Sequence, residues 1–309
     1  MVIDFHTHVF PSLDVFQKSW LEKMRTQKKA LLGGELYKKW EEGLDGRVEL
    51  LIKDMDEAGV DKSVILPTYP AVMYGEDQPK MSIWECNEYA AEAQKRFPSR
   101  IIAFARIDAL RKDALELLDK AVNFWKMKGV KIHPTYPVTH ELIQPVMSAI
   151  NELEIPVLIH MGVDPLPFLL ENGNPIHLDT LTGRFPKIKV IAAHHARGFE
   201  DLMTSIITNR PGRIYSDLAL WHYECHYSRW HFLLQMRHIL DRIPDFVFMG
   251  SDWPWGKTMP ITHKEWFDAV RSMEIPEAFI KVGLGIKNFS TEEKCKILGE
   301  NARKFLGIK

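Results

Sequence analysis

Two histidines separated by one residue, His6 and His8, follow the strand-like run Val2–Phe5 near the start of the chain. On a β-strand, residues i and i+2 point to the same face, so the two imidazoles can converge on one ion. Zn²⁺ accepts imidazole nitrogens at about 2.0–2.1 Å. The pair therefore predicts a metal site at the end of the first strand.

Other ionisable side chains stand in the same position, at or just after the end of a short apolar run. Such a group needs a hydrogen-bond partner, a counterion or a metal if the run is a buried strand. They are Arg106, Lys131 and His133, His160, His194 and His195, Asp217, and Asp252. Since side chains alternate along a strand, we expect one of His194 and His195 to face the site and the other to pack outside it.

Eight apolar runs alternate with segments that have helical periodicity. They are Val2–Phe5, Ser63–Leu66, Ile101–Ala105, Val130–Ile132, Pro156–Ile159, Lys189–Ala193, Arg213–Tyr215 and Phe246–Met249. This alternation predicts parallel βαβ units of the α/β class, and eight units predict a (β/α)8 TIM barrel. A doubly wound open sheet is the alternative, and it is disfavoured because no GxGxxG follows any run. In a barrel, polar side chains at the strand ends share the catalytic face.

Composition excludes several classes of protein. The 309 residues carry 40 Lys+Arg and 41 Asp+Glu, and a net charge of −1 argues against binding to nucleic acid or to a membrane surface. No apolar run approaches the roughly 18 residues of a membrane span, and Asp4, His6 and His8 interrupt any secretory signal. Three scattered cysteines do not make a disulfide framework, so we expect a cytoplasmic protein. We predict one domain over 1–309, with an insertion at about 10–47 and a helical tail at about 284–309.

The combined motifs resemble one known family. His6-x-His8, His160, His194 and Gly250-Ser251-Asp252-Trp253-Pro254 are similar to the amidohydrolase superfamily, and within it to amidohydrolase-related family 2. That group includes aminocarboxymuconate-semialdehyde decarboxylase, resorcylate-type decarboxylases and lactone hydrolases. The likeness continues through Phe185-Pro186 and Ile297–Arg303, so it covers nearly the whole chain.

The resemblance implies one divalent metal ion, zinc with manganese as the alternative, bound by His6, His8, His160 and Asp252. It also implies that Asp252 and His194 are catalytic, with His194 orienting water or substrate. Some superfamily members use a carboxylated lysine on strand four to bridge two ions. Lys131 lies on that strand, so we assign Lys131 and His133 to a second metal ion or to the substrate.

The expected activity is hydrolysis, by metal-activated water, of a small carboxylated lactone, ester or amide. Lys131-x-His133-Pro134 resembles a hydrolase-like branch of the family, and the chain has no large insertion that would enclose an aromatic acid. Non-oxidative decarboxylation of a muconate-like or aromatic acid is the alternative, and a non-catalytic ligand-binding barrel is the alternative of another class. We expect a small-molecule substrate. The resemblance also implies a homodimer. The predicted substrate contacts are Arg106 and Arg197, which suit a carboxylate, together with Trp253 and Tyr69.

Overall fold

The eight predicted runs form one parallel sheet in the computed structural model, which describes residues 1–69, 77–164, 168–258, 261–282 and 285–308. Each strand pairs with the next in chain order. The strands are β1 (Ile3–Val9), β2 (Lys62–Pro67), β3 (Ile101–Arg106), β4 (Gly129–Ile132), β5 (Pro156–Ile159), β6 (Lys189–Ala192), β7 (Ile214–Asp217) and β8 (Val247–Phe248).

The last strand returns to the first, so the sheet curls into a nearly closed barrel. The amide of Phe5 donates to the carbonyl of Met249, and the amide of Asp252 donates to the carbonyl of His6, both at 2.8 Å. An isolated parallel bridge joins Thr7 to Trp253. The predicted (β/α)8 barrel is therefore confirmed.

Helices cover the outside of the barrel. They are α1 (Lys18–Leu32), α2 (Gly34–Glu42), α3 (Val48–Ala58), α4 (Ile83–Arg96), α5 (Ala114–Asp119), α6 (Gln144–Leu153), α7 (Ile176–Arg184), α8 (Glu200–Asn209), α9 (His222–Tyr227), α10 (Arg229–Arg242), α11 (His263–Arg271), α12 (Glu277–Lys281), α13 (Thr291–Cys295) and α14 (Asn301–Phe305). Helices α1 and α2 occupy most of the predicted insertion at 10–47. In the described part of the chain, none of these helices has the length and apolar character needed to cross a membrane.

The lower half of the barrel is filled with apolar side chains, and the polar site lies directly above them. Phe104, Leu158 and Tyr215 belong to this interior cluster. Because side chains two residues apart share a face, the positions two residues further along these strands also point inward. Those positions are Arg106, His160 and Asp217. On β4, Gly129 occupies the interior position, since an added Cβ would lie 2.5 Å from the Phe104 ring. Lys131, two residues further along the strand, therefore also points inward.

Strand β1 reaches the same arrangement through a bulge. Its register against β2 shifts between Asp4 and Thr7, which pair with Ser63 and Ile65, so β1 contains one extra residue. Strict alternation from the interior residue Phe5 would send His6 outward. A bulge re-aims side chains in this way, and here it turns both His6 and His8 toward the top of the barrel.

We predict that Phe5→Ala destabilises the fold by about 3–5 kcal/mol, because it empties a packed aromatic position. The Phe5 ring stacks on Phe248 with centroids 4.5 Å apart and meets the edges of Phe104 and Phe305 at 5.8 and 5.9 Å. Urea unfolding measures the change. Phe124 is 68% exposed, so Phe124→Ala is the control and should cost less than about 1 kcal/mol. Equal losses in the two variants would contradict the assigned interior.

Candidate active site

Three of the four predicted ligands bring their ligand atoms together at the carboxyl end of the barrel. His6 Nε2 lies 3.2 Å from His8 Nε2 and 3.2 Å from Asp252 Oδ1, and His8 Nε2 lies 3.3 Å from the same oxygen. Tetrahedral ligands at about 2.0–2.1 Å from zinc are separated by about 3.3–3.4 Å. The ligand triangle formed by His6, His8 and Asp252 therefore has the dimensions of a divalent metal site.

Asp217, at the end of β7, fixes the tautomer of His6. Its Oδ2 is 2.8 Å from His6 Nδ1, while its Oδ1 accepts the backbone N–H groups of His194 and Ala219 at 3.0 Å each. Since the carboxylate is an acceptor in all three contacts, His6 Nδ1 carries the proton and Nε2 presents its lone pair to the triangle.

The loop that carries Asp252 is fastened to β1. The amide and hydroxyl of Ser251 donate to the two carboxylate oxygens of the buried Asp4, at 3.0 and 2.5 Å. His263 Nε2, on α11, lies 3.0 Å from the same carboxylate. Asp4 therefore holds the third corner of the ligand triangle against the strand that supplies the other two.

His194 lies on a left-handed turn that follows β6. His194, His195 and Ala196 have φ angles of 59°, 48° and 48°. Such backbone costs about 1–3 kcal/mol per non-glycine residue and concentrates at functional sites. The turn places His194 Nδ1 3.0 Å from the carbonyl of Ala219, so Nδ1 is protonated and Nε2 is free to accept. His195 points away from the site and contacts Ser216 and Thr204, at 2.7 and 3.0 Å.

His160 lies beside the ligand triangle. Within the described ranges, its ring nitrogens do not join the three ligand atoms of the triangle in one metal-sized group. Its Nδ1 is 3.3 Å from His194 Nε2, and its Nε2 is 3.7 Å from Asp164 Oδ2. His133 Nε2 lies 2.9 Å from the same oxygen. His133, His160 and Asp164 thus form a second group with the donor chemistry of a metal site.

Sequence reasoning missed Asp164. It lies in the loop after β5, four residues beyond His160, where no strand-end rule applies. Burial raises the pKa of its carboxyl to about 7, and repulsion from Asp252 adds to the shift. A partly buried carboxyl with a raised pKa on the wall of a cavity is a candidate acid or base.

The electrostatics of the site favour neutral imidazoles beside an ionised carboxylate. Burial lowers the pKa values of His6, His8, His160 and His194, and neutral imidazole is the form that binds a metal ion. Burial opposes the ionisation of Asp252, but the surrounding imidazoles, His8 first, outweigh it and hold its pKa well below the usual range.

Lys131 points into the barrel between these groups. Burial lowers the pKa of its ammonium to about 7, although nearby Asp217 opposes the shift. Its Nζ finds no hydrogen-bond partner among the residues that the structure describes. This buried donor faces the space in which a substrate or a further ion would lie.

A cavity of about 270 Å³, hereafter the substrate cavity, opens onto His8 and Asp252. Three of the predicted substrate contacts, Tyr69, Arg106 and Arg197, line it. Trp253 lies outside this lining, because its Nε1 donates to Asp54 at 2.7 Å and its ring is buried. Trp255 contributes to the wall instead.

Comparison with known proteins gives the family. The family model described as amidohydrolase matches residues 3–308. This chain belongs to the amidohydrolase-2 family. The resemblance seen in the sequence motifs is thereby confirmed. No curated protein matches this chain in sequence.

Solved structures share the fold of this chain at low sequence identity. A 5-carboxyvanillate decarboxylase from Novosphingobium aromaticivorans, complexed with manganese and 4-hydroxy-3-methoxy-5-nitrobenzoic acid, is 17% identical with a TM-score of 0.67, over 100% of this chain and 96% of that chain. A 2,6-dihydroxybenzoate decarboxylase from Rhizobium is 15% identical with a TM-score of 0.64, over 99% and 98%. A 4-oxalomesaconate hydratase from Rhodopseudomonas palustris is 19% identical with a TM-score of 0.63, over 99% and 96%.

Because His222 is buried, we expect the fold to lose stability in acid. Burial lowers its pKa to about 3, so the folded protein keeps the ring neutral while the unfolded chain takes up a proton near the ordinary value of 6.5. The stability due to the neutral ring is complete above pH 6.5 and is lost as the pH falls from 6.5 toward 3.

Between pH 6.5 and 5.5, the wild type should lose about 1 kcal/mol more unfolding free energy than His222→Gln. Urea unfolding at the two pH values measures the difference. His226→Gln, at an exposed position of the same helix, is the matched control and should keep the wild-type slope. Identical slopes for wild type and His222→Gln would contradict the prediction.

Proposed function

We propose that this protein is a metal-dependent, non-oxidative decarboxylase of a small aromatic or unsaturated carboxylic acid. The observation that carries the proposal is that the ligand triangle borders a cavity whose lining contains both cations and aromatic rings. Arg106 and Lys131 suit a carboxylate, and Tyr69, Trp20 and Trp255 suit a flat apolar body. Two solved structures with this fold are decarboxylases of aromatic acids, which supports the same reaction class here.

We propose that His6, His8 and Asp252 hold one divalent ion, with His160 as the fourth ligand. Zinc is our first choice because three imidazoles and one carboxylate suit it, and manganese is the alternative. When bound, the ion would stabilise negative charge on a substrate oxygen and, for hydrolysis, lower the pKa of a water molecule. Asp217 keeps His6 in the tautomer that this role requires.

The chain's own side chains account for the remaining steps. Arg106 orients the substrate carboxylate, and the apolar wall excludes water from the carbon that reacts. Decarboxylation breaks the bond between that carbon and the carboxylate, releases CO₂ and leaves an electron pair that takes up a proton. Asp164, which lines the cavity 2.9 Å from His133, is placed to hold this proton. Asp252 and His194, the catalytic pair that the resemblance implies, are the alternative route for this proton.

Hydrolysis of a carboxylated lactone, ester or amide is the second candidate. The ionised Asp252 favours it, because a carboxylate at a corner of the ligand triangle can take a proton from water. The chain has no large insertion, but Phe16, Trp20, Met24 and Trp40 all line the cavity. The size of the chain therefore does not disfavour an aromatic acid. The single domain over 1–309, the homodimer and the cytoplasmic location stay predictions.

Metal content tests the ligand triangle. We expect about one ion per chain in protein purified without a chelating tag, and below a tenth of that in His8→Ala and Asp252→Asn, since each loses one ligand. His226→Ala is the control for loss of a histidine and should keep the wild-type content. Two ions per wild-type chain would assign His133, His160 and Asp164 to the second ion and leave His6, His8 and Asp252 as the protein ligands of the first. A value near zero that added zinc or manganese does not restore would overturn the metal-dependent mechanism.

Product analysis tests the reaction. With hydroxylated benzoic acids and muconic acids, the metal-loaded protein should release CO₂, whereas hydrolysis of a lactone panel would acidify the medium without CO₂. Asp164→Asn should keep its metal and lower kcat by about 100-fold or more, because it removes the proposed proton donor. If Asp164→Asn keeps the wild-type turnover, delivery of the proton would be assigned to Asp252 and His194 instead. The absence of any turnover would favour a binding barrel.

A further inference from the structure

One side of the substrate cavity is built by the segment between β1 and α3. Phe16, Trp20, Met24, Lys28 and Trp40 line it, and we call these five residues the outer wall. Three of them, Trp20, Met24 and Lys28, are spaced four residues apart on α1, so they lie along one side of that helix. The ring of Trp20 stacks on Phe16 with centroids 5.0 Å apart, which makes the middle of the outer wall aromatic.

Lys28 is the basic residue of α1 that lines the cavity. Arg25 on the same helix pairs with Glu41, its guanidinium 2.5 Å from the carboxylate. Lys28 has no ion pair or hydrogen bond within the described residues, and burial lowers the pKa of its ammonium. A cation that is partly withdrawn from water without a counterion costs free energy, and an anion in the cavity would recover it.

The cavity thus has cationic groups at two depths. Lys131 is 2% exposed and Arg106 is 5% exposed, so both lie deep in the barrel beside the ligand triangle. Lys28 is only partly buried and lies on a helix outside the strands, so it marks the mouth. The same cavity is also lined by aromatic and apolar side chains, which include Tyr69 and Trp255 in addition to the outer wall.

We propose that Lys28 binds a second carboxylate of the substrate, so that the substrate class is a compact aromatic or unsaturated dicarboxylic acid. One carboxylate lies at the ligand triangle, the flat body lies against the aromatic wall, and the other carboxylate pairs with Lys28 at the mouth. The volume of about 270 Å³ is near the lower limit of about 300 Å³ for ligand pockets, which suits a single ring. The part played by the inner carboxylate rests on the proposed function, whereas the pairing with Lys28 is a matter of binding alone.

Calorimetric titration of the metal-loaded protein with benzoate, isophthalate and terephthalate tests the pairing. In the wild type, the better of the two dicarboxylates should bind about tenfold tighter than benzoate. Lys28→Met keeps an unbranched apolar side chain, so it should abolish this preference and leave the Kd of benzoate within about twofold. Lys28→Arg should restore the preference. Lys29→Met, at the exposed neighbouring position, is the matched control and should behave as the wild type.

The outcomes separate this inference from the proposed reaction. An unchanged dicarboxylate preference in Lys28→Met, or no preference in the wild type, would overturn the pairing even if the protein releases CO₂ from an aromatic acid. A preference that depends on Lys28, in a protein that decarboxylates none of the acids tested, would support the pairing and reject the reaction. Thermal melting of Lys28→Met, expected to match the wild type, shows that the change acts on binding and not on folding.

Discussion

The buried carboxylate of Asp217 is the constraint on which the site depends. It joins three separate parts of the chain, because it faces the His6 ring on β1 and accepts backbone N–H groups from His194 and Ala219. Burial raises the pKa of Asp217, so an ionised group here is costly unless donors surround it. The same contacts that stabilise its charge set the tautomer of His6 and the path of the left-handed turn at His194. The tautomer of His6, the path of the turn at His194 and the charge of Asp217 therefore all depend on the same set of contacts.

Most of the fold and part of the site could be predicted from the sequence, and the difference has a physical cause. Alternation along a strand is a local rule, and in the structure Lys131, His160 and Asp217 follow it into the barrel. His6 and His8 obey it only after a bulge that the sequence does not reveal. Asp164 and Trp255 lie in loops, where direction is decided by contacts between distant segments.

The site also shows why neighbouring residues of the same type take different roles. Trp253 and Trp255 are two residues apart, yet the first is anchored to Asp54 and the second faces the substrate cavity. His194 and His195 diverge in the same way, one toward His160 and the other toward Ser216. In both pairs, a hydrogen-bond partner outside the site holds one residue in place while its neighbour faces inward.

The outer wall has a consequence for how this protein can change. Its five side chains come from one continuous stretch, residues 16–40, whereas the ligand triangle and its supports are spread from β1 to the loop after β8. A substitution or exchange within that stretch alters the shape and charge of the mouth and leaves the groups that hold the metal untouched. Selectivity can therefore change through substitutions within residues 16–40 alone, while the reactive centre keeps its structure.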